Sequence, residues 1–577
     1  MSSKRWTVFC LHAGVLSSVV AAAVPATAQV RPPDAGTILR ETDPTRGLPS
    51  RLPGNIGPTE APASPSAARE EARVKVTSIN IVGAKRYSEA QLQALVKDLV
   101  GREVDFFELR RAADRIAQHY REDGWFARAY LPEQSLSGGA VTIAVLEAHV
   151  GELRIESAQE KTRVREEVIR DMLMARQLQE DGLGIADLER SALLVDDLPG
   201  INAAVVLAPG SAEGTTDIVA RVENTQLVQS ALVMDNSGLP STGRERLTGQ
   251  VSLQSPLRFG DELVALLNVS EGNRFGRLSY ELPVGSDGWR VGTSVSALDY
   301  ELGDEFKALE AEGKAFTWGF TADYPLIRSN RFDLRFTSGI EERRYENSAL
   351  SEETSDSRIR AARAGLLANR LDSFGGGGMW VYGALITAGD VDLSGNAFDL
   401  ALDQATARSD GGYTKYSWNV GRMQRLGDRN RLSVSLQGQF ASDNLDSSEK
   451  LNLGGANGVR AFPELEGAGD EGWIGNVEWL HTLSADWQFS LFYDVGSVRQ
   501  HKRTWNHWNA GNPDLDNRYE LQGGGLSVRW TAFSGVEIDA TAATRFASNP
   551  ARDPVTDNDA DGSRREPQLW ISARWTL

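Results

Sequence analysis

The chain has 577 residues, more than a single hydrophobic core usually accommodates, so its length predicts several domains. Its formal net charge of -18 argues against a nucleic-acid-binding surface, which normally has a basic excess. No segment beyond the amino terminus has the ~20 consecutive apolar residues that a membrane-spanning helix requires. Nucleic acid is therefore not an expected partner, and a helical membrane protein is not an expected class.

The first 28 residues have the pattern of a secretory signal peptide. Lys4 and Arg5 precede the mainly apolar stretch 6–23, and Ala26 to Ala28 has the small-residue spacing of a cleavage site. Residues 1–28 are therefore predicted to direct export. The only cysteine, Cys10, lies within this segment, so the mature chain is expected to have neither disulfides nor thiolate metal sites.

Residues 29–72 are rich in Pro, Ala, Gly and Ser, a composition that cannot bury enough surface to fold alone. One stretch, PDAGTILRE, places Ile38 and Leu39 beside charged residues and predicts a short helix from Asp34 to about Arg40. A tail without any order is the alternative interpretation, and it stays open at this point. The remainder is expected to be a flexible linker.

Two small domains with the same order of elements are predicted at 73–150 and 151–225. In the first, a strand at 76–82 precedes a helix with a capping box at Ser88 and Gln91, and a second helix at 106–123 ends at Gly124. Two further strands complete a β-α-α-β-β unit. The second domain repeats this order, with helices predicted near 163–175 and 185–198.

These units resemble the polypeptide-transport-associated (POTRA) domains that precede outer-membrane barrels. The resemblance implies that they receive unfolded clients in the periplasm by adding a client strand to a sheet edge, where backbone hydrogen bonds require no particular sequence. The alternative is that the two units merely separate the barrel from the periplasm.

Residues 226–577 consist of alternating segments separated by turn clusters, the pattern of a transmembrane β-barrel. In RLSVSLQGQF, Leu432, Val434 and Leu436 share one face and serines the other. A β-sandwich has the same local pattern, but its strands are usually shorter and fewer. The chain also ends on LWISARWTL, which alternates to its last residue. We predict an outer-membrane β-barrel of about 16 antiparallel strands.

A glycine-rich run, GGANGVRAFPELEGAGDEG, lies in the long loop predicted at 449–472, between the eleventh and twelfth strands. Alternation in the thirteenth strand places Phe492, Asp494 and Gly496 towards the lumen. Because the planar arginine fork is the best partner for a carboxylate, we predict that Arg460 at the loop tip pairs with Asp494. A solvated loop charge is the alternative for Arg460 alone.

Both segments resemble motifs of the Omp85 superfamily. The run Val459-Arg460-Ala461-Phe462 is similar to the V-R-G-Y motif of the sixth extracellular loop, with Ala461 in place of Gly and Phe462 in place of Tyr. Residues 492–496, FYDVG, match the F-x-D-x-G motif of the strand that this loop contacts. The resemblance implies the same contact between Arg460 and Asp494.

A short helix, two POTRA domains and about 16 strands resemble the transporter component of two-partner secretion, the family that exports filamentous haemagglutinin-like adhesins and haemolysins. The resemblance implies an unfolded secreted partner, contact with outer-membrane lipid, and a plug helix at Asp34, Ile38, Leu39 and Arg40 in the resting pore. An insertase for outer-membrane proteins and a passive porin are the alternatives.

Enzymatic patterns are absent from the sequence: it has no H-E-x-x-H, no P-loop and no G-x-S-x-G at a strand-to-helix turn. Carboxylate pairs such as Glu341-Glu342 are typical of solvated surface charges. We therefore expect neither catalytic residues, nor a metal site, nor a cofactor.

Overall fold

The computed structural model describes residues 32–45, 73–135, 138–177, 182–212, 214–533 and 535–577. The predicted signal peptide and the predicted linker beyond residue 45 lie outside these ranges. Among the residues described, no helix is both long enough and apolar enough to span a membrane.

A short amino-terminal helix, α1, spans Ala35–Thr42. Asp34 is its N-cap, and the carboxylate of Asp34 accepts a hydrogen bond from the Thr37 backbone N–H at 2.8 Å. The helix extends two residues beyond the predicted end at Arg40, because Asp43 supplies the C-terminal cap.

The first POTRA unit is built on a three-stranded sheet covered by two helices. The capping box predicted at Ser88 and Gln91 is present at the start of its first helix. The strand expected at 76–82 is divided, and a two-stranded ribbon of β1 and β3 was not predicted. The elements are β1 Val74–Lys75, β2 Ser78–Val82, α2 Glu89–Ala94, β3 Glu103–Val104, α3 Phe106–Glu122, β4 Ala127–Tyr130 and β5 Ala140–Glu147, with sheet order β2-β5-β4.

The second POTRA unit repeats this architecture with sheet order β6-β8-β7, in which β6 and β8 are parallel. Its helices are shorter than predicted but lie within the predicted ranges. Its elements are β6 His149–Ser157, α4 Glu166–Met174, α5 Ile185–Asp196, β7 Ile201–Pro209 and β8 Thr215–Asn224.

Within the described residues, sixteen antiparallel strands close into a barrel in which the last strand pairs with the first, confirming the predicted fold class. A further helix, α6 Ala397–Ala405, lies between the ninth and tenth barrel strands. The strands are β9 Val228–Asp235, β10 Arg246–Gln254, β11 Glu262–Val269, β12 Asn273–Val284, β13 Trp289–Glu301, β14 Glu312–Arg328, β15 Phe332–Ala349, β16 Glu352–Asp372, β17 Gly378–Asp392, β18 Gly411–Leu426, β19 Asn430–Ala441, β20 Glu471–Thr482, β21 Trp487–Arg499, β22 Arg518–Phe533, β23 Val536–Arg545 and β24 Gln568–Thr576.

The long loop expected at 449–472 spans residues 442–470 in the structure, because β19 ends at Ala441 and β20 begins at Glu471. We call this segment the lumen loop. It connects the eleventh and twelfth strands of the barrel, as predicted, and much of it is buried.

The second POTRA unit is attached to the barrel through short turns between strands. Arg176 binds Asp287 through two hydrogen bonds, at 2.8 Å and 3.3 Å. Arg328 forms a similar fork to Asp197, at 2.7 Å and 2.8 Å. These contacts define the proximal end of the barrel, and the opposite end is called distal. The proximal turns involved are 255–261, 285–288 and 329–331.

Candidate functional site

Strand β21 presents two chemically different faces. The side chains of Trp487, Phe489 and Leu491 are exposed on the outer surface of the barrel, in a position to contact lipid. The alternate residues, Phe492 and Asp494, are buried on the lumen side. The alternation of a β-strand therefore places a carboxylate in the inner wall.

The guanidinium of Arg460 lies directly against that carboxylate. Its Nε donates to Asp494 Oδ2 at 2.8 Å, and its Nη2 donates to Asp494 Oδ1 at 2.8 Å. The Arg460 backbone N–H adds a third hydrogen bond to Asp494 Oδ2, at 3.1 Å. Asp494 is 0% exposed and Arg460 5%, so this pair is almost completely shielded from solvent. A bidentate pair is strong and also directional, which fixes the position of the loop.

Four neighbours complete the environment of Arg460. The remaining Nη1 donates to Glu478 at 3.0 Å, and the Phe492 ring lies 3.4 Å from the guanidinium carbon. Asn476 donates to Asp494 Oδ1 at 2.9 Å, and Trp570 donates its indole N–H to the Arg460 carbonyl at 2.8 Å. The loop is thereby connected to β20, β21 and the last strand of the barrel.

Residues 459–462, which we call the loop tip, pack among inward-facing apolar side chains of the barrel. The two departures from the V-R-G-Y pattern have a structural counterpart. A Cβ at Gly523 would lie only 2.3 Å from Cβ of Ala461, so glycine at 523 accommodates the additional methyl group. Phe462 is fully buried in the same apolar cluster, with the Arg545 guanidinium 4.6 Å above its ring.

Gly496 also contributes to the fit of the loop. A Cβ at this position would lie 3.0 Å from Leu453 and 3.4 Å from Val459. Because Gly496 has no side chain, the lumen loop can approach the wall two residues from Asp494 on the same face of β21.

A second anchor holds the lumen loop at some distance from its tip, and the sequence interpretation missed it. Glu449 forms salt bridges with Arg343 on β15 and, at 2.5 Å, with Lys415 on β18. Arg343 is 1% exposed and also lies 3.3 Å from Glu341. The expectation of a solvated Glu341-Glu342 pair is therefore wrong for Glu341, whose carboxylate lies in the lumen. The alternation of β15 would have revealed this.

Helix α1 lies inside the distal half of the lumen. Ala35, Ile38 and Leu39 are buried and belong to one apolar cluster with inward-facing barrel residues such as Leu298 and Tyr300. Because this apolar face is covered by the barrel wall, the short helix is stabilised by tertiary contacts rather than by its own propensity.

The polar side of α1 contacts residues 447–452 of the lumen loop, which we call the loop base. Arg40 donates to the carbonyls of Ser447 and Lys450, the latter at 2.6 Å, and to the Asn452 side chain at 2.9 Å. At the other end of the helix, the Ser447 hydroxyl donates to the Asp34 carboxylate at 2.8 Å. All four residues singled out in the sequence for this helix therefore make lumen contacts.

A cluster of charges joins the end of α1, the wall and the lumen loop. Glu41 and Asp235 share the guanidinium of Arg246, with Asp235 at 2.9 Å. Burial and, to a lesser extent, the nearby Glu41 carboxylate together raise the pKa of Glu464, in the lumen loop, to about 8. Burial likewise raises the pKa of Glu41, although Arg246 opposes this shift. One arginine thus neutralises several carboxylates only in part, and the remaining negative charge favours a protonated Glu464.

Beside the helix and the lumen loop, the lumen retains a cavity of about 660 Å³. Its lining is both polar and apolar, and the polar side chains in it include Arg363, Lys415, Gln437 and Gln439. Among the residues described, no group of three or more His, Cys, Asp or Glu side chains has an arrangement that could hold a metal ion.

Comparison with known proteins identifies the family. The family model described as haemolysin secretion/activation protein ShlB/FhaC/HecB matches residues 214–512, and the ShlB-type POTRA model matches residues 74–148. The chain belongs to the ShlB/FhaC/HecB family. It is an outer-membrane transporter of two-partner secretion. Its POTRA domains lie in the periplasm.

Curated relatives of this ShlB/FhaC/HecB family member extend over most of the chain. The heme/hemopexin transporter protein HuxB of Haemophilus influenzae strain 86-028NP is 26% identical over 94% of both chains. The outer membrane transporter CdiB of Escherichia coli O6:K15:H31 is 26% identical over 75% of this chain and 72% of its own.

Solved structures agree with the fold. CdiB from Escherichia coli has a TM-score of 0.67 at 21% identity, with 94% of this chain and 95% of that chain covered. BamA from Haemophilus ducreyi lacking POTRA domains 1-3 has a TM-score of 0.52 at 14% identity and covers 87% of this chain and all of that chain. The proximal end of the barrel therefore faces the periplasm, and the distal end faces the cell exterior.

Proposed function

We propose that this transporter exports one large partner polypeptide, which arrives unfolded in the periplasm and folds outside the cell. The observation that carries this proposal is the content of the lumen. Helix α1 docks there against the wall and the loop base, where it occupies space that a passing chain would need.

Helix α1 is the element that leaves. It is eight residues long and is joined to the first POTRA unit by a segment of the Pro-rich composition described above. Apart from one hydrogen bond from the Ala35 backbone N–H to Asn347 at 2.8 Å, its contacts with the barrel involve its side chains. The lumen loop, in contrast, is continuous with a barrel strand at each end. Asp34, Ile38, Leu39 and Arg40 thus act as a removable plug, and the loop tip, 459–462, stays with Phe492, Asp494 and Gly496.

The partner is received on a sheet edge of the POTRA units. In the first unit, Gln93 and Glu89 side chains already bind outward backbone groups of the edge strand β2, at 2.8 Å and 3.2 Å. In the second unit, the nine-residue edge strand β7 is longer, and its Ala203 N–H points outward to Asp196. Strand β7 therefore offers the longer edge for β-augmentation.

Comparison of the proteins secreted by the parent strain and by a strain without this gene tests the export proposal. We expect the loss of one large extracellular polypeptide, with the other outer-membrane barrels unchanged. A general loss of barrels would instead indicate an insertase, and an unchanged set of secreted proteins would indicate a porin.

Two variants test the individual roles. Deletion of residues 29–65 should raise the single-channel conductance in planar bilayers, and unchanged currents would contradict the plug role. Val205→Pro removes a backbone donor that, by alternation with Ala203, points away from the β8 ladder, and it should reduce export. Val205→Thr keeps the N–H and the side-chain shape and serves as its control; equal export by both variants would contradict the role of β7.

A further inference from the structure

The outer wall of the barrel has a groove of about 480 Å³ on strands β12 to β15, near their distal ends. Arg274, Asp299, Lys314 and Glu346 occupy one continuous register across these four strands. All four side chains point away from the lumen and are exposed. Arg344 lines the groove as well, so three cationic side chains surround it.

These cations lie just distal to the apolar band that contacts lipid. Four residues further towards the periplasm on β12, β13 and β14, the outward side chains are Leu278, Val295 and Trp318, each 39–46% exposed. On β15 the residue at this level is Glu342, which pairs with Arg344 and Arg360. In a transmembrane barrel the end of the apolar band marks the level of the headgroups. The groove therefore faces the headgroup level of the outer leaflet.

Two of the three cations have no ionic partner in the described residues, and the third, Arg344, pairs with Glu342 at 3.3 Å but has a half-exposed side chain. In the part of the chain that the structure describes, neither Arg274 nor Lys314 forms an ion pair, although Asp299 lies between them in register. The Asp299 carboxylate is held close to the wall by its short side chain, whereas arginine and lysine carry their charges on long, flexible stems. Their charged ends can therefore reach a group farther from the wall.

The base of the groove is apolar and made partly of small residues. Ala297 pairs in register with Gly276 on one side and with Phe316 on the other. These three residues are two positions nearer the periplasm than the charged row. This depression admits the apolar part of a lipid next to Arg274 and Lys314 on their periplasmic side, with Arg344 beside Phe316 at the same level. A free phosphate ion would make no use of this surface.

We propose that this groove binds a phosphorylated lipid of the outer leaflet, with Arg274, Lys314 and Arg344 around the phosphate and the acyl part over Ala297 and Phe316. The site rests on the outer-membrane location of the barrel and is independent of which polypeptide is exported. Phosphate is a strong acceptor for both guanidinium and ammonium groups.

The test measures the binding of lipid A to the purified full-length protein in a zwitterionic detergent. The variant R274Q/K314Q/R344Q should bind phosphorylated lipid A more weakly, on the order of fivefold for each cation removed. Dephosphorylated lipid A should bind the parent and this variant equally. Equal binding of phosphorylated lipid A to both proteins would overturn the proposal.

Two controls keep the test decisive. The variant K307Q/R408Q/R503Q removes the same charge from extracellular loops and should bind phosphorylated lipid A like the parent. The variant R274K/K314R/R344K retains all three charges and should also bind like the parent; binding as weak as that of the Gln variant would overturn the proposal. If inorganic phosphate alone displaces the lipid, the site is an anion site and the lipid assignment is wrong.

Discussion

Two segments occupy the lumen of this transporter, and they are held in different ways. The tip of the lumen loop is fixed by a fully buried arginine–carboxylate pair, with three hydrogen bonds between Arg460 and Asp494. Helix α1 is held by one small apolar face and by side chains that reach carbonyls of the loop base. At its end, Glu41 pairs with Arg246 of the wall, and the capping residue Asp43 pairs with Arg277 at 3.1 Å. Removing one member of a buried pair leaves an uncompensated charge, whereas an undocked helix can exchange its hydrogen bonds for water.

This difference indicates which part of the lumen can change during transport. We propose that the loop tip stays in place, since its release would expose a charged wall without a partner. We propose that the helix leaves, since its apolar face is short and Arg246 keeps Asp235 as a partner when Glu41 departs. The loop base connects the helix to the barrel wall, because Arg40 of the helix and Arg343 of the wall both bind it.

The largest effect is expected at the loop tip. Arg460→Ala and Asp494→Ala should each cost about 3–5 kcal/mol of local stability and strongly reduce export, because each leaves a buried charge unpaired. The double variant should be little worse than either single one, since both remove the same contact. Export of the partner and heat-modifiable migration of the barrel are measured for all variants. Additive losses would show that the two residues act separately.

Ala461→Gly and Phe462→Tyr are the matched controls for this experiment. Each restores the residue of the V-R-G-Y pattern without touching the ion pair, so both should export nearly as well as the parent. A loss as large as that of Arg460→Ala would indicate that any disturbance of the tip has the same effect.

A smaller effect is expected at the loop base. Glu449→Gln leaves Arg343 and Lys415 without their shared carboxylate, although Glu341 still partly compensates Arg343 at 3.3 Å. The base should loosen and α1 should dock less well, which raises the single-channel conductance while export is largely retained. Conductance like that of the parent would show that the helix does not depend on the base.

The docking of α1 can be tested without altering the loop. A Cβ at Gly36 would lie 2.9 Å from Cβ of Ser448, so Gly36→Val should disfavour docking by about 1–3 kcal/mol. We expect more frequent open events in planar bilayers and unchanged barrel migration. Thr37→Ala, at a half-buried position of the same helix, is the control and should behave like the parent. Identical currents for Gly36→Val and the parent would contradict this docking geometry.

The smallest effect concerns pH. The pKa of Glu464 is raised to about 8 in the closed state, so this state binds an additional proton that a solvated Glu464 would lose near its usual pKa. The closed state is therefore most stable at low pH. Its stability falls as the pH rises from the usual glutamate pKa of 4.5 to about 8, and it levels off above that, where both states have lost the proton. The loss should not exceed about 1.4 kcal/mol per pH unit, because one group titrates. Open probability should rise between about pH 5 and 8 in the parent and stay flat in Glu464→Gln; a parallel rise in both would assign the effect to another group.

Much of the architecture follows from local periodicity. Alternation along each strand predicts the barrel wall and places Asp494 on its inner face, and the capping box at Ser88 and Gln91 predicts the helix of the first POTRA unit. The thirteenth strand, and the long loop between the eleventh and twelfth strands, also lie where the pattern indicates. These features depend on residues that are close together in the sequence, and a single sequence is therefore sufficient to predict them.

Other features depend on residues far apart in the sequence. Arg343 and Glu449 are 106 residues apart in the sequence, and Arg246 and Glu41 are 205 residues apart. No local pattern specifies these pairs, because each half is chemically an ordinary charged residue until the barrel closes. Closure of the barrel and insertion of α1 and the lumen loop remove water from them, and this burial turns ordinary charges into anchors.

By itself, the sequence determined the periodic elements, the order of the domains and the residue types at the loop tip and the inner wall. The tertiary structure decided which charges became partners, how Gly523 accommodates Ala461 and where α1 docks. The physical reason is that strand alternation and helix capping are set by neighbouring residues, whereas packing and desolvation in the lumen arise only once distant segments share one enclosed space.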